Sequence, residues 1–496
     1  MTRPLTVLVC FLAAVLFPGA SLAQTLDVNP LFSDYAVLQQ DRPVPVWGTS
    51  EPGENVEVTF GDQTVKGKAN ESGEWIVVLE PLTGSLEPGS LVVRAGDEEV
   101  TFDNVLVGEV WVGSGQSNMA WPVSRSLDAE ATVEKAEAGG FPNVRLLKVP
   151  VDGSDTRAAT VDATWMVPTE STVSSFSATA FYFAAKLAQD RKVAVGVIQS
   201  ANGGTNAFSW INTDTFENGE AAEASRAYWA VTLKNHPEAM ERYKTALETW
   251  TEKSKAAKEA GEEFRDRAPR EPLGDGHVKR PTGHYNAMIA PLQPFAIRGV
   301  IWYQGEANSR EPFYDGYRDL MLALVEDWRA DWATASGGLV ERNDFPFYLV
   351  QLPNFAGGNP IGWPVIREQM LKFWQEGTNT GMVVTIDTGD PDDIHPANKT
   401  PVGERLASFA RANTYGENIV YSGPIFDALR IEGAKAIASF TEIGGGLKSL
   451  DGEPLAGFEV AGADGKFVSA VATINGDELI VTAESIEEPR AVRYAW

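Results

Sequence analysis

The stretch Val105-Leu106-Val107-Gly108-Glu109-Val110-Trp111-Val112-Gly113-Ser114-Gly115-Gln116-Ser117-Asn118-Met119 decides how this chain is read. Val105 to Val112 form a mostly apolar run of strand length, the pattern of a strand covered on both faces. Gly113 to Gly115 allow a sharp turn, after which a helix is expected near Asn118. A serine at such a junction is exposed and sits beside backbone N–H groups able to receive an oxyanion. Ser117 is therefore read as a nucleophile; the competing reading is a helix-capping serine, a role this residue fills well.

Two further polar turns follow apolar strands: Trp302-Tyr303-Gln304-Gly305-Glu306-Ala307-Asn308 and Asp392-Asp393-Ile394-His395-Pro396-Ala397-Asn398-Lys399. Open α/β sheets bind ligands at the edge where the strands end. From residue 105 onward, helices expected at 178–192 and 313–332 alternate with strands expected at 193–198, 297–302, 347–352 and 382–386. That alternation predicts an α/β catalytic domain over 105–414 with a mainly parallel sheet. Within it, residues 217–270 are rich in Ala, Glu and Lys, with Trp229, Leu233, Met240, Tyr243, Leu247 and Trp250 at helical spacing. They predict a helical insertion lying over one side of the core. Residues 25–104 carry short strand-forming runs divided by turn signals such as Pro52-Gly53 and Gly61-Asp62, a β-sandwich pattern. This domain either braces the catalytic one or binds sugar through exposed aromatics. Short strands return over 415–496, which predicts a small C-terminal β domain.

Serine attack on an ester needs a base. Of His236, His277, His284 and His395, only His395 closely follows acidic residues at the end of an expected strand, and a neighbouring carboxylate would hold its tautomer. Asp392 and Asp393 are the candidates, while Asp387 and Asp390 are read as braces of the loop. A second oxyanion donor is expected from the backbone of Gly203 or Gly204, where missing side chains permit close approach. Paired carboxylates at Glu306 and Asp393 would suit a glycosidase, but that reading leaves Ser117 and the glycine loop unexplained. Trp121, Trp210, Tyr303 and Trp363 either stack on sugar faces or fill the core. No His-Glu-x-x-His, clustered Cys/His spacing, Gly-x-Gly-x-x-Gly or Walker loop occurs, so neither a metal nor a cofactor is expected.

Taken together, the three turns resemble the SGNH (GDSL-like) hydrolase superfamily and, more closely, the sialate O-acetylesterase family of carbohydrate esterases. The resemblance runs from about Asn29, with Pro30-Leu31-Phe32-Ser33 and Val37-Leu38-Gln39, to the terminal Val492-Arg493-Tyr494-Ala495-Trp496. It implies an SGNH-type, flavodoxin-like sandwich and removal of O-acetyl groups from carbohydrate through an acetyl-Ser117 intermediate. It suggests Gln304 as a side-chain oxyanion donor, with Asn308 as fallback donor or substrate contact. The Asp-Ile-His-Pro word of the family selects Asp393, whereas the general superfamily spacing Asp-x-x-His selects Asp392. A sialate carboxylate would call for a cation, and Arg310 or Arg367 could supply it; Trp210 is a candidate sugar platform. Two alternatives stand beside this one: an acetyl esterase acting on xylan or another plant or algal polysaccharide, and a noncatalytic carbohydrate-binding protein.

The composition fits a globular chain of several domains: 496 residues, 43% of them hydrophobic. Residues 1–23 read as a secretory signal, with Arg3, an apolar stretch from Leu5 to Phe17, Pro18-Gly19 and the small-residue site Ser21-Leu22-Ala23. An exported protein, periplasmic or extracellular, is expected. Its single cysteine, Cys10, lies inside that segment, so no disulfide or thiolate chemistry is expected of the mature chain. The net charge of −27 becomes −28 without Arg3, the only charged residue of the segment. Such a surface repels nucleic acid and anionic lipid, and neither is expected as a partner.

Overall fold

The apolar run before Ser117 is the second half of one long strand, β1 (Glu98–Gly115), in a computed structural model that describes residues 26–342 and 344–496. The segment read as a secretory signal, with Arg3 and Cys10, lies outside the described residues. β1 is largely exposed up to Asn104 and buried without interruption from Val105 on. The change marks where cover begins on both faces, and a strand so covered must be apolar throughout.

The second half of β1 is central to a run of parallel strands: β2 (Val144–Lys148), β3 (Ala194–Ala201), β4 (Gly299–Tyr303), β5 (Phe347–Val350) and β6 (Thr380–Val383). Their spatial order is β2-β3-β1-β4-β5-β6. The first half of β1 pairs antiparallel with Ser85–Ala95, which continues into Asn55–Phe60 and Gln63–Lys68. The whole sheet has eleven strands and is mixed. The expectation of a mainly parallel sheet thus describes only the part around the three turns. The expected division at 104/105 falls inside β1, because one strand serves both parts. A three-stranded sheet of Asp27–Val28, Val44–Thr49 and Glu74–Leu79 approaches the antiparallel part closely at Gly67 and Val77.

The five longest helices among the described residues are α1 (Ala178–Arg191), α2 (Glu223–Ala260), α3 (Tyr317–Ala335), α4 (Gly362–Glu376) and α5 (Thr400–Asn413). Successive side chains of a strand point to opposite faces, and β5 shows which helix covers which face. Phe347 packs on Trp328 of α3 and Phe373 of α4, while its neighbour Tyr348 packs on Trp111 of β1 and Phe409 of α5. α1 joins α5, and Gly403 permits their contact because a side chain there would collide with Tyr182 and Phe183.

α2 is the expected helical insertion, but Trp229, Leu233, Met240, Tyr243, Leu247 and Trp250 are only half-buried, Val231 is exposed, and Ser225 alone is fully buried. Tyr228 and Trp229 pack on Phe208, while Trp250 meets the returning chain through Phe264 and the carbonyl of Asp266. At the C-terminus a four-stranded and a three-stranded antiparallel sheet surround a separate small core of Ala436, Ala472, Leu479 and Val481. Among the described residues, no helix is long and apolar enough to cross a membrane.

Gly115 ends β1 at φ +130°, and a side chain there would strike the carbonyl of Tyr303. Gly115→Ala should therefore lower stability by about 1–3 kcal/mol or more, since strain and collision act together. Urea unfolding of the variant beside the parent measures it, and an unchanged midpoint would show that the turn tolerates a side chain.

Candidate active site

Gly115 stands in register with Ala201 of β3 on one side and Tyr303 of β4 on the other. The three loops that follow these strands therefore leave the sheet at one level. The first holds Gln116, whose N–H donates to the carbonyl of Tyr303 at 2.9 Å, and then a single helical turn, Ser117–Ala120. The helix expected near Asn118 is this turn.

Ser117 is partly exposed, and its Oγ lies 2.8 Å from His395 Nε2. The ring of Trp121 stacks on that of His395, with centroids 5.1 Å apart and planes 14° apart. Burial pushes the imidazole below its ordinary pKa; Asp393 opposes the shift, while Lys399 and Arg125 add to it. His395 is thereby kept neutral and able to accept a proton near neutrality.

Asp393 is the acidic residue at His395, but it does not hold the ring as a hydrogen-bond acceptor. Its Oδ1 accepts the backbone N–H of His395 at 2.8 Å and lies 3.7 Å from Nδ1, and the side chain is 56% exposed. Asp392 is exposed and, among the described residues, has no hydrogen bond or ion pair to His395; its backbone N–H donates to Asp390. The Asp-x-x-His assignment of Asp392 is corrected accordingly: the acid acting on His395 is Asp393. Asp387 pairs with Arg405.

Gly203 follows β3 beside Ser117: a Cβ there would stand 3.3 Å from Ser117 Cβ. Among the described residues, neither the Ser117 nor the Gly203 N–H has a hydrogen-bond acceptor. Gly204 is exposed, turns through φ +67° and lies toward the Lys279 ammonium. Asn202 accompanies the loop, its amide nitrogen 2.9 Å from His284 Nε2. His284 Nδ1 donates to the carbonyl of Asp152 at 2.7 Å, so Nε2 is the acceptor. Burial lowers the His284 pKa to about 4, which keeps the ring neutral.

Four other expectations are corrected, three by burial and that of Arg367 by the partner it already has. Gln304 is fully buried, and its amide nitrogen is in reach of Gln116 Oε1, the Thr205 carbonyl and Asn308 Oδ1, at 3.1, 3.1 and 2.7 Å. Its two protons are thus committed to locking three loops together and are not available to an oxyanion. Asn308, equally buried, accepts from Ala207 and Gln304 and donates to Asn206. Trp210 is a core residue that donates to Thr205 and packs on Trp302. Arg367 donates to the carbonyl of Ala495 near the chain end. Tyr303 and Trp363 are buried as well, and Arg310 lies over the ring of Tyr228, leaving Trp121 as the candidate aromatic at the site.

Asn118, Asn202, Arg125 and Lys399 were not singled out for these positions by the sequence. A signal existed for Lys399, which directly precedes α5: a cation at a helix N-terminus opposes the helix dipole, so something else must hold it.

The family described as "Carbohydrate esterase, sialic acid-specific acetylesterase" matches residues 275–411. Sialate O-acetylesterase from Mus musculus is 30% identical over 444 residues, covering 82% of this chain and 77% of that protein. The Homo sapiens protein of the same name is 29% identical, covering 89% and 81%. Among solved structures, a carbohydrate acetylesterase from Xanthomonas citri superposes with a TM-score of 0.77 at 33% identity, covering 95% of this chain and 94% of that one. Fold and site thus define an esterase. The chain belongs to the sialate O-acetylesterase family of carbohydrate esterases.

Gln304→Ala strands the carbonyl and amide acceptors around it, each costing about 1–3 kcal/mol when buried and unpaired. Denaturant unfolding should show that loss. An oxyanion donor would instead reveal itself as lowered kcat at unchanged stability, and that result would restore the role expected of Gln304.

Proposed function

We propose that this chain is a serine carbohydrate O-acetylesterase that works through an acetyl-Ser117 intermediate. The observation that carries the reading is the 2.8 Å contact between Ser117 Oγ and His395 Nε2. As Oγ attacks the acetyl carbonyl, Nε2 takes its proton and the carbonyl oxygen becomes an oxyanion in reach of the Ser117 and Gly203 N–H groups. Asn202, with one amide proton engaged by His284, has a second to offer the same oxygen. Collapse of this intermediate expels the sugar oxygen, which recovers the proton from the imidazolium. Water, activated by His395, then cleaves the acetyl ester and releases acetate and Ser117. Asp393, close to Nδ1, stabilises the imidazolium at longer range than a hydrogen-bonded acid would. Taken without β2, the strand order β3-β1-β4-β5-β6 is the flavodoxin-like 2-1-3-4-5 and supports the SGNH-type reading, with the site at the point where the order reverses.

The proposed substrate is an O-acetylated sialoside, the class in the relatives' names. Two cations favour an anionic sugar. Arg125 is exposed and near enough to His395 to oppose its protonation, and Lys279 stands by Gly204. Among the described residues neither forms an ion pair, despite the acidic surplus of the chain. Export by the segment 1–23 is part of the same proposal.

Ser117→Ala and His395→Ala should each cut acetate release from acetylated sialosides by about three orders of magnitude, and the double variant should be scarcely worse, since such residues act as a unit. Ordinary turnover by folded Ser117→Ala removes the nucleophile assignment; release from acetylated xylo-oligosaccharides alone removes the sialoside.

The pH profile follows from the environment of His395. Only the neutral imidazole accepts the proton, so kcat/KM should fall as pH drops through a midpoint below the ordinary histidine value of about 6.5. Asp393→Asn removes the one opposing influence and should move the midpoint lower still. A midpoint at or above the ordinary value would contradict the burial argument.

A further inference from the structure

Behind Ser117 and His395 lie three polar side chains that the proposed reaction does not use. Asn118, Glu306 and Lys399 are 0%, 8% and 1% exposed. Asn118 Nδ2 donates to Glu306 Oε1 at 2.5 Å and to the carbonyl of Ile394 at 3.0 Å. Lys399 Nζ donates to Asn118 Oδ1 at 2.5 Å and lies 5.2 Å over the Tyr303 ring. Asn118 follows the nucleophile directly, Ile394 precedes the base directly, and Glu306 stands in the turn after β4. One amide on the Ser117 turn therefore ties that turn to the Glu306 turn and to the His395 loop.

The tie is held by charge. An ammonium has donors only, so its partner on Asn118 must be the oxygen, and the amide nitrogen is left to face Glu306 and Ile394. Burying such a cation with no direct carboxylate contact is costly, and its place before α5 adds the unfavourable helix dipole. A neutral side chain of similar length would pack there at less cost, so stability alone does not account for a lysine. Burial lowers the Lys399 pKa to about 7, with Glu306 and Asp393 opposing. Burial raises that of Glu306, with Asn118 and Lys399 opposing. The groups facing Lys399 are thus Asn118, Glu306, Asp393 and the Tyr303 ring; those facing His395 are Asp393, Arg125, Lys399 and the Trp121 ring.

We propose that Lys399 is a positioning residue: its charged ammonium, bridged by Asn118 to Glu306, clamps the His395 loop onto the Ser117 turn, and base and nucleophile stay in contact only while that clamp is charged. This rests on Ser117 as nucleophile and His395 as base. Charge-assisted hydrogen bonds are roughly twice as strong as neutral ones, so loss of the Lys399 proton loosens the loop.

The test is acetate release from a chromogenic acetyl ester by the full chain, from mildly acid to alkaline pH. The parent, Lys399→Met, Glu306→Gln and Ser117→Ala are compared, with folding checked by thermal unfolding and by circular dichroism. In the parent, kcat should fall on the alkaline side through one ionisation. Glu306→Gln keeps an acceptor for Asn118 but removes the anion that holds the Lys399 proton, so the alkaline fall should move to lower pH by about one unit. Lys399→Met should lose on the order of 100-fold in kcat, the scale of a small misplacement, with KM little changed and no alkaline fall. A folded Met variant with parental kcat overturns the proposal, as does an alkaline fall that stays in place in Glu306→Gln. Should the Met variant not fold, the position of that fall in Glu306→Gln decides alone. Activity retained by Ser117→Ala would overturn instead the serine reading beneath it.

Discussion

The register of three strands at Gly115 is the constraint on which the site depends. Gly115 pairs with Ala201 and with Tyr303, so the chain turns away from the sheet at the same height on β1, β3 and β4. Backbone hydrogen bonding alone thus sets Ser117, Gly203 and the Gln304 turn side by side. The absence of a side chain at Gly115 lets the first loop cross close to the Tyr303 carbonyl. A slip of one residue would turn every buried side chain of β1 to the opposite face, which the covered core forbids.

His395 arrives from β6, at the far end of the sheet order, and needs more than register to reach Ser117. Two contacts bring it there, the Trp121 stack and the tie from Asn118 to the Ile394 carbonyl, while the bond of its own N–H to Asp393 shapes the turn it sits on. The Ser117–His395 contact is thus held by packing and by buried polar groups, and less by an acid hydrogen-bonded to the ring.

The polar residues of the motifs divide by burial. Those that remain partly exposed, Ser117, Gly203 and His395, can meet a substrate. Gln304 and Asn308, from the same polar turn, are wholly enclosed, and every donor and acceptor they carry must find a protein partner. They hold the loops in place, as Gln116 does from the nucleophile side. A polar word beside an active site therefore contains both reacting groups and the scaffold that supports them.

What the sequence determined by itself was the α/β alternation and the two residues, Ser117 and His395, that the fold brings into contact, because these arise from local patterns: apolar runs of strand length, glycines at turns, and one histidine after acids. Family likeness extended that reading to the class of enzyme. The roles of Gln304, Asn308, Trp210, Arg367 and Asp392 were decided only in three dimensions, since burial and hydrogen-bond partners come from residues far apart in the chain. The same holds for Asn118, Glu306 and Lys399, whose tie joins positions 118, 306 and 399. A side chain's chemistry is written in the sequence, but whether its protons face a substrate or a neighbouring loop depends on what the fold packs against it.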